Sequence, residues 1–557
     1  MHLLDSARTR LKCVPVVHEV AAGIAAEYFN QISGSGRAFA LVTAGPGLTN
    51  IVTAMGGAWL ENRDLLVIGG QVKSADLMNG GLRQRGIQEI DGVKIVKSLT
   101  KHSVRVESPI DEQSFKSFVS AGYQARKGPV FIEVCLDAQG AAPITQHASS
   151  PRSPESKRVA SPETVGRVHE LMADAERPVW LIGAGVERET AWELREALEG
   201  LEFPLLTTWH GADRLASTAV NYCGRPETWG QRAANLIVNQ ADLLVVLGAR
   251  LGFQETGFNW EEFAKNASIV QVEIDEAELN KGHPRVDVPI HGDANEFLAA
   301  LLDRGCCARP EWLEYCREIR GLLHLNEPWN ETRSGYVSPY DFYVEASNFS
   351  VEGDIWVPAS SGGANSVAIQ ALNQKARQKV VCDNGLASMG YGLSGAIGAS
   401  FAEPESRVWL VEGDGGFTQN LQELATVGVG RLNIKMFIFA NEGYGSIRTT
   451  QKNYFNGEYL GCDIRTGLGF PNWRKLADAY DLPYALFNSH GFADEKLIDL
   501  LKSPGPVLVE VPIDPLQTYW PKITSRVTES GGMESNPLYR MSPDLPTEIW
   551  QQVSRYL

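Results

Sequence analysis

The sequence predicts three α/β domains, each a doubly wound parallel sheet with helices on both faces. Three observations lead there. Short apolar runs rich in Val, Ile and Leu alternate along the chain with longer stretches of helical periodicity, the pattern of βαβ units. A length of 557 residues exceeds what one hydrophobic core serves and corresponds to roughly three domains. Two stretches break the alternation: the Ser-, Pro- and Ala-rich segment AAPITQHASSPRSPESKR and a charged helical connector beyond residue 310. The division is residues 1–140, a linker at 141–162, 163–310, a connector at 311–339, 340–515 and a tail at 516–557.

Within the first domain, strand-like runs lie at residues 13–17, 38–42, 65–68 and 130–134, with helical patterns at 20–29 and 48–60. The second carries strands at 179–182, 243–247 and 269–274. The third carries strands at 355–357, 408–411 and 434–440, and the tail reads as irregular before a short final helix. Apolar content of 43% and charged content of 21% mark a soluble globular protein. A net charge of −16 argues against nucleic acid or an anionic membrane surface as the main partner. Anionic ligands held by glycine turns and helix N-termini stay open. The cysteines, Cys13, Cys135, Cys223, Cys306, Cys307, Cys316, Cys382 and Cys462, form no CxxC pair, so neither a zinc site nor a disulfide scaffold is expected. No apolar run reaches membrane-spanning length and no cleavable leader is visible, so the cytoplasm is the expected location.

Residues 408–447 hold the most informative pattern. One apolar strand runs into Gly413-Asp414-Gly415-Gly416, a helical stretch follows, and a second apolar strand ends at Asn441-Glu442-Gly443. Both polar clusters then lie at carboxyl ends of neighbouring strands, where open α/β sheets bind ligands. The glycines allow close approach of a phosphate. A carboxylate and an amide oxygen, completed by water and diphosphate oxygens, suit Mg2+, a hard octahedral ion with few protein ligands.

GDG followed after one crossover by Asn resembles the signature of thiamine-diphosphate enzymes. The resemblance implies that Asp414, Asn441 and the Gly443 carbonyl ligate the metal, with Gly413, Gly415, Gly416, Tyr444 and Gly445 around the diphosphate. Other motifs extend it. His18-Glu19 before a small-residue helix matches the glutamate that hydrogen-bonds the cofactor's aminopyrimidine ring and shares a proton with it. On its own, Glu19 reads as a first-turn acid of a helix. Ser361-Gly362, after a strand, has the composition of a diphosphate-binding turn. Met389, within Gly385-Leu386-Ala387-Ser388-Met389-Gly390, takes the place of the bulky residue that holds the cofactor bent; otherwise it is core filling. Residues 43–50, TAGPGLTN, resemble a loop of the acetolactate synthase branch. Ile87-Gln88-Glu89 resembles a segment of that branch near the substrate channel, and Gln88 reads equally well as a surface residue.

In the middle domain, Gly183-Ala184-Gly185 and Gly248-Ala249-Arg250, with Glu273 and Asp293, match FAD-contacting positions of that branch, where the flavin does no net redox work. Gly252 and Gln254 depart from it, standing where the branch has Asp and Arg. The whole resemblance implies three domains of the thiamine-diphosphate decarboxylase/acetolactate synthase type, binding thiamine diphosphate, Mg2+ and FAD. It implies a homodimer or homotetramer with sites at the subunit interface. Residues 2–6 already read as the helix after the first loop, so the pyrimidine-binding domain is expected to lack its first strand. The implied activity is decarboxylation of pyruvate and transfer of the two-carbon unit to an acceptor carbonyl. Ser446 and Thr450 replace the methionine and tryptophan of acetolactate synthases beside Ile447. The stretches at 229–235 and 531–537 resemble a subgroup that includes the flavin-containing enzyme acting on a CDP-4-keto-3,6-dideoxy sugar for yersiniose. A nucleotide-activated keto-deoxysugar acceptor in lipopolysaccharide biosynthesis is therefore expected. Acetolactate synthase, a plain pyruvate decarboxylase and a non-catalytic nucleotide-binding homologue are the alternatives.

Overall fold

The computed structural model describes residues 2–78, 81–142, 161–359, 362–528 and 531–557. The first sheet contains β1 (Phe39–Val42), β2 (Leu66–Gln71), β3 (His102–Val106) and β4 (Val130–Cys135) in the order β1-β2-β4-β3. The second contains β5 (Pro178–Ile182), β6 (Leu205–Thr207), β7 (Leu243–Leu247), β8 (Ser268–Glu273) and β9 (Val288–His291) in the order β6-β5-β7-β8-β9. The third contains β10 (Ile355–Pro358), β11 (Lys379–Val380), β12 (Val408–Gly413), β13 (Ile434–Ala440), β14 (Tyr484–Leu486) and β15 (Val507–Pro512) in the order β11-β10-β12-β13-β15-β14. Every pair within these sheets is parallel. Strand β10 connects outward to β11 on one side while β12 lies on its other side, and β5 stands in the same relation to β6 and β7. Each is a switch point that opens a crevice at the carboxyl ends of the strands.

Two expectations are corrected. Residues 13–17 form no strand. Pro15 has no N–H to give a ladder, and the Val17 and His18 N–H groups donate to the Glu423 carboxylate at 3.1 and 2.9 Å. The tail is also less irregular than its composition suggests: β16 (Ser525–Val527) and β17 (Met533–Ser535) pair as an antiparallel hairpin. Most of the expected linker, residues 143–160, lies outside the described residues.

The first and third domains share one core. The helix Glu19–Ile32 packs on the helix Tyr391–Ala402, with Ile24, Tyr28, Tyr391 and Ile397 in the same buried cluster. At Gly398 the backbones come so close that a Cβ would lie 2.1 Å from the Ala25 carbonyl oxygen. This contact, with Glu423 at the helix start, fixes where Glu19 stands.

Candidate active site

Strand β12 is buried throughout and delivers Asp414 to the switch point at 2% exposure. Gly413 pairs with Phe439 of β13, so the end of β13 falls beside it. One Asp414 oxygen accepts the N–H groups of Asn441 and Gly443, both at 3.1 Å. The other accepts the Gly415 N–H at 2.7 Å. Burial pushes the Asp414 carboxyl up to about 7 against the pull of these donors. The Asn441 side-chain oxygen faces Asp414 Oδ1 at 3.3 Å and the Gly443 carbonyl oxygen at 2.5 Å. Turned over, its NH2 would donate to both; facing inward, it completes a cluster of three oxygens of the kind a cation would hold together. Adjacent ligands of an octahedral Mg2+, at about 2.0–2.1 Å from the ion, lie about 2.9 Å apart, between the two observed spacings. The residues fit the ion.

Gly443 is required where it is: its φ is +152° and a Cβ would lie 2.0 Å from the Cys462 carbonyl oxygen. The buried Arg448 clamps the same loop, donating to the carbonyls of Asn441 (3.3 Å), Glu442 (3.1 Å) and Pro515 (2.8 Å).

A cavity of about 220 Å³ opens over these atoms. Met389, Gly413, Asp414, Gly415, Gly416, Asn441, Gly443, Tyr444, Gly445, Ser446 and Ile447 all line it. Ser361 lies outside the described residues; Gly362 opens the turn Gly362–Ser366, and its neighbour Gly363 reaches the cavity. Thr450 does not line it. It is exposed one turn beyond Ser446 on the helix Gly445–Tyr454, and its hydroxyl donates to the Ser446 carbonyl at 3.1 Å. Phe439, Ile513 and Tyr519 also line the cavity and were not anticipated. Phe439 could have been found from its place near the end of β13; nothing local marks Ile513 or Tyr519.

Glu19 is half-buried at the start of its helix, and its carboxylate accepts from Asn50 Nδ2 at 3.0 Å. Neither Glu19 nor Gln88 lines the Asp414 cavity of its own chain. Gln88 is exposed with φ +59°. Its carbonyl lies 2.2 Å from where a Gly45 Cβ would be, so the TAGPG and IQE loops are pressed together near Asn50. The buried Glu89 carboxylate holds the second loop by accepting the Arg85 and Gly86 N–H groups at 2.9 and 2.7 Å.

Where the three domains meet lies a second cavity, of about 1050 Å³. Ala184, Gly185, Gly248, Ala249, Arg250, Glu273 and Asp293 line it. Gly183 stands behind them, stacked on the Gly248 carbonyl. The glycine turns after β5 and β7 thus meet at the switch point, and the cavity has the volume and backbone approach a dinucleotide needs. Asp293 caps the helix Ala294–Asp303. Burial raises the Glu273 carboxyl. Glu227 was not anticipated. It is 2% exposed and lines the cavity, and among the described residues one of its oxygens has no hydrogen-bond partner. Burial pushes its carboxyl up to about 8.

Among the described residues, no group of three or more His, Cys, Asp or Glu is placed to hold a metal. No described helix is long and apolar enough to cross a membrane. Sequence comparison matches the chain to three parts of one family: the "Thiamine pyrophosphate enzyme, N-terminal TPP binding domain" over residues 1–95, the "central domain" over 165–301 and the "C-terminal TPP binding domain" over 361–511. Thiamine pyrophosphate is thiamine diphosphate. The Escherichia coli K12 "Acetolactate synthase isozyme 2 large subunit" is 28% identical over 525 residues, covering 93% of this chain and 91% of the relative. The "Probable acetolactate synthase large subunit" of Methanocaldococcus jannaschii is 29% identical over 517 residues, covering 90% and 85%. The Corynebacterium glutamicum "Acetolactate synthase large subunit" is 29% identical over 481 residues, covering 84% and 75%. With three parallel-sheet domains in the family's order and the glycine turn at a switch point, the chain belongs to the thiamine pyrophosphate enzyme family.

Proposed function

We propose that this protein is a carboligase that decarboxylates pyruvate and transfers the two-carbon unit to an acceptor carbonyl, that of a nucleotide-activated keto-deoxysugar. The observation that carries the first part is the convergence of the Asp414, Asn441 and Gly443 oxygens beneath a glycine-lined cavity. In this reading those three oxygens hold Mg2+. Ser361, Gly362 and the backbone of Gly415 and Gly416 receive the diphosphate. Met389, 37% exposed at the cavity, supports the bend of the cofactor. Bound there, thiamine diphosphate supplies the electron sink for decarboxylation. Glu19 holds and returns a proton at the aminopyrimidine ring, and Gln88 lies on the substrate side. Exclusion of water by the walls favours transfer over simple protonation.

Because Glu19 and Asp414 do not share a cavity within one chain, the complete site is read as formed between two copies. Exposed apolar side chains on both halves support this: Val17 at 57%, Ile87 at 89%, Met389 at 37% and Ile447 at 41%. A homodimer or homotetramer follows, with small-molecule substrates and neither nucleic acid nor membrane as partner. FAD is assigned to the large inter-domain cavity on its volume, its stacked glycine turns and the unpartnered Glu227 oxygen, and it serves there without net redox work.

The sugar acceptor is supported by the helix face of Ser446, Ile447 and Thr450. That face is exposed at Ser446, Ile447 and Thr450 and carries two hydroxyls, which suits a large hydroxylated partner better than a second pyruvate. The test is mass spectrometry of products from pyruvate, thiamine diphosphate and Mg2+ with a panel of nucleotide-linked keto-deoxysugars. A product enlarged by the two-carbon unit supports the proposal. Brisk acetolactate formation with every sugar ignored rejects the acceptor and leaves acetolactate synthase. Cofactor binding without carbon dioxide release would indicate a non-catalytic homologue.

A further inference from the structure

The C-terminal tail reaches the cofactor cavity through one polar side chain, Tyr519. Its ring is half-buried against the core of the third domain. Its hydroxyl lies 3.0 Å from where a Cβ on Gly363 would stand, so it rests on the turn following Gly362. On its other side it is near enough to Asp414 to interact electrostatically. Among the described residues the hydroxyl has no hydrogen-bond partner, and it borders the cavity over Asp414.

The segment carrying it is held at several points. Asp514 pairs with Arg333, one contact being 2.6 Å. The Pro515 carbonyl accepts from Arg448 at 2.8 Å, the residue that also clamps the metal loop. Asn330 grips Trp520 from both sides, donating to its carbonyl at 2.7 Å and accepting its N–H at 2.8 Å. A side chain fixed on both flanks, with its hydroxyl unpaired among the described residues and resting on a glycine turn, is a preorganised donor.

We propose that the Tyr519 hydroxyl donates a hydrogen bond to the diphosphate of the bound cofactor, so that the tail completes the diphosphate pocket. This rests on the reading of the Asp414 cavity as the diphosphate site. A phenol O–H to a charged phosphate oxygen is a charge-assisted bond, short and worth more than a neutral one. It adds recognition without adding charge beside the metal.

The experiment compares the full-length parent with Tyr519→Phe, which keeps the ring and removes only the hydroxyl. Equilibrium binding of thiamine diphosphate with Mg2+ is followed by tryptophan fluorescence, and inorganic pyrophosphate with Mg2+ is measured by competition. The inference expects Kd to rise about 10-fold for both ligands with the melting temperature unchanged. Equal affinities in the two proteins overturn it. A loss for thiamine diphosphate with none for pyrophosphate also overturns it, because the hydroxyl would then meet another part of the cofactor. A parent that binds neither ligand removes the site reading itself, and the inference with it.

Discussion

Gly443→Ala separates the metal site from the fold. The alanine methyl would stand 2.0 Å from the Cys462 carbonyl oxygen and 2.7 Å from an Arg448 guanidinium nitrogen, at a backbone φ of +152°. The first distance is far inside any non-bonded contact. The conformation alone costs a side chain about 1–3 kcal/mol. Gly443 also stands between Asn441 and Cys462, whose carbonyl accepts the Tyr444 N–H at 2.9 Å. The cheapest relief is therefore for the 441–444 loop to move outward, carrying the Gly443 carbonyl away from Asp414 and Asn441. Most of the cost then falls on metal affinity. A loss of 1–3 kcal/mol is about 5- to 150-fold. The assay is Mg2+ titration at fixed thiamine diphosphate, read by tryptophan fluorescence, with a thermal melt alongside. Gly457→Ala is the control. That glycine has φ +75° with nothing within 4 Å of the added methyl, so it carries a similar backbone penalty without touching the site. A Mg2+ midpoint for Gly443→Ala equal to that of the parent would refute the assignment of this loop to the metal.

Three further outcomes follow. Glu19→Gln and Asp414→Asn should each suppress turnover by 100-fold or more, on the order expected for an essential proton or metal group. Mixing the two inactive proteins should restore roughly a quarter of parental activity, because half the dimers are hybrid and each hybrid has one intact site; no recovery after subunit exchange would argue that both residues act within one chain. Arg448→Met should weaken Mg2+–cofactor binding about 10- to 100-fold, since two loop carbonyls and that of Pro515 lose their donor, and unchanged binding would remove Arg448 from the support of the loop. Glu227 bears on pH. Its folded carboxyl, raised by burial to about 8, keeps its proton where the unfolded chain, near 4.5, has lost it. Its contribution is therefore fully present below the unfolded value and is lost as pH rises towards 8, at up to about 1.4 kcal/mol per unit. Glu227→Gln should flatten the fall in melting temperature between pH 6 and about 8; equal slopes would contradict the buried protonated acid.

The sequence made legible whatever is local. Strand β13 spans the residues its apolar run indicates, and the Asp414 and Asn441 clusters fall side by side because β12 and β13 are neighbours. The middle-domain glycines mark their cavity because a close backbone approach leaves no alternative residue. The failures involve partners distant in the chain. Residues 13–17 have the composition of a strand, yet Glu423, some 400 positions away, takes the N–H groups of Val17 and His18. Strands β11 and β14 are short edges with little apolar signal. Glu227 reads as an ordinary turn acid until the domains close over it. Tyr519 becomes a cavity residue only because Asn330, Arg333 and Arg448 fix the tail. Thr450, chosen by position within a motif, stands one turn outside the cavity of the single chain.

The most direct test follows labelled carbon from pyruvate through the purified protein. With both thiamine diphosphate and Mg2+ supplied, the account predicts that carbon one leaves as carbon dioxide and carbons two and three are recovered together on an acceptor. Omitting either component, or replacing Asp414 with Asn, should stop both. Pyruvate left intact by the fully supplied protein, across all acceptors including pyruvate itself, would contradict the account.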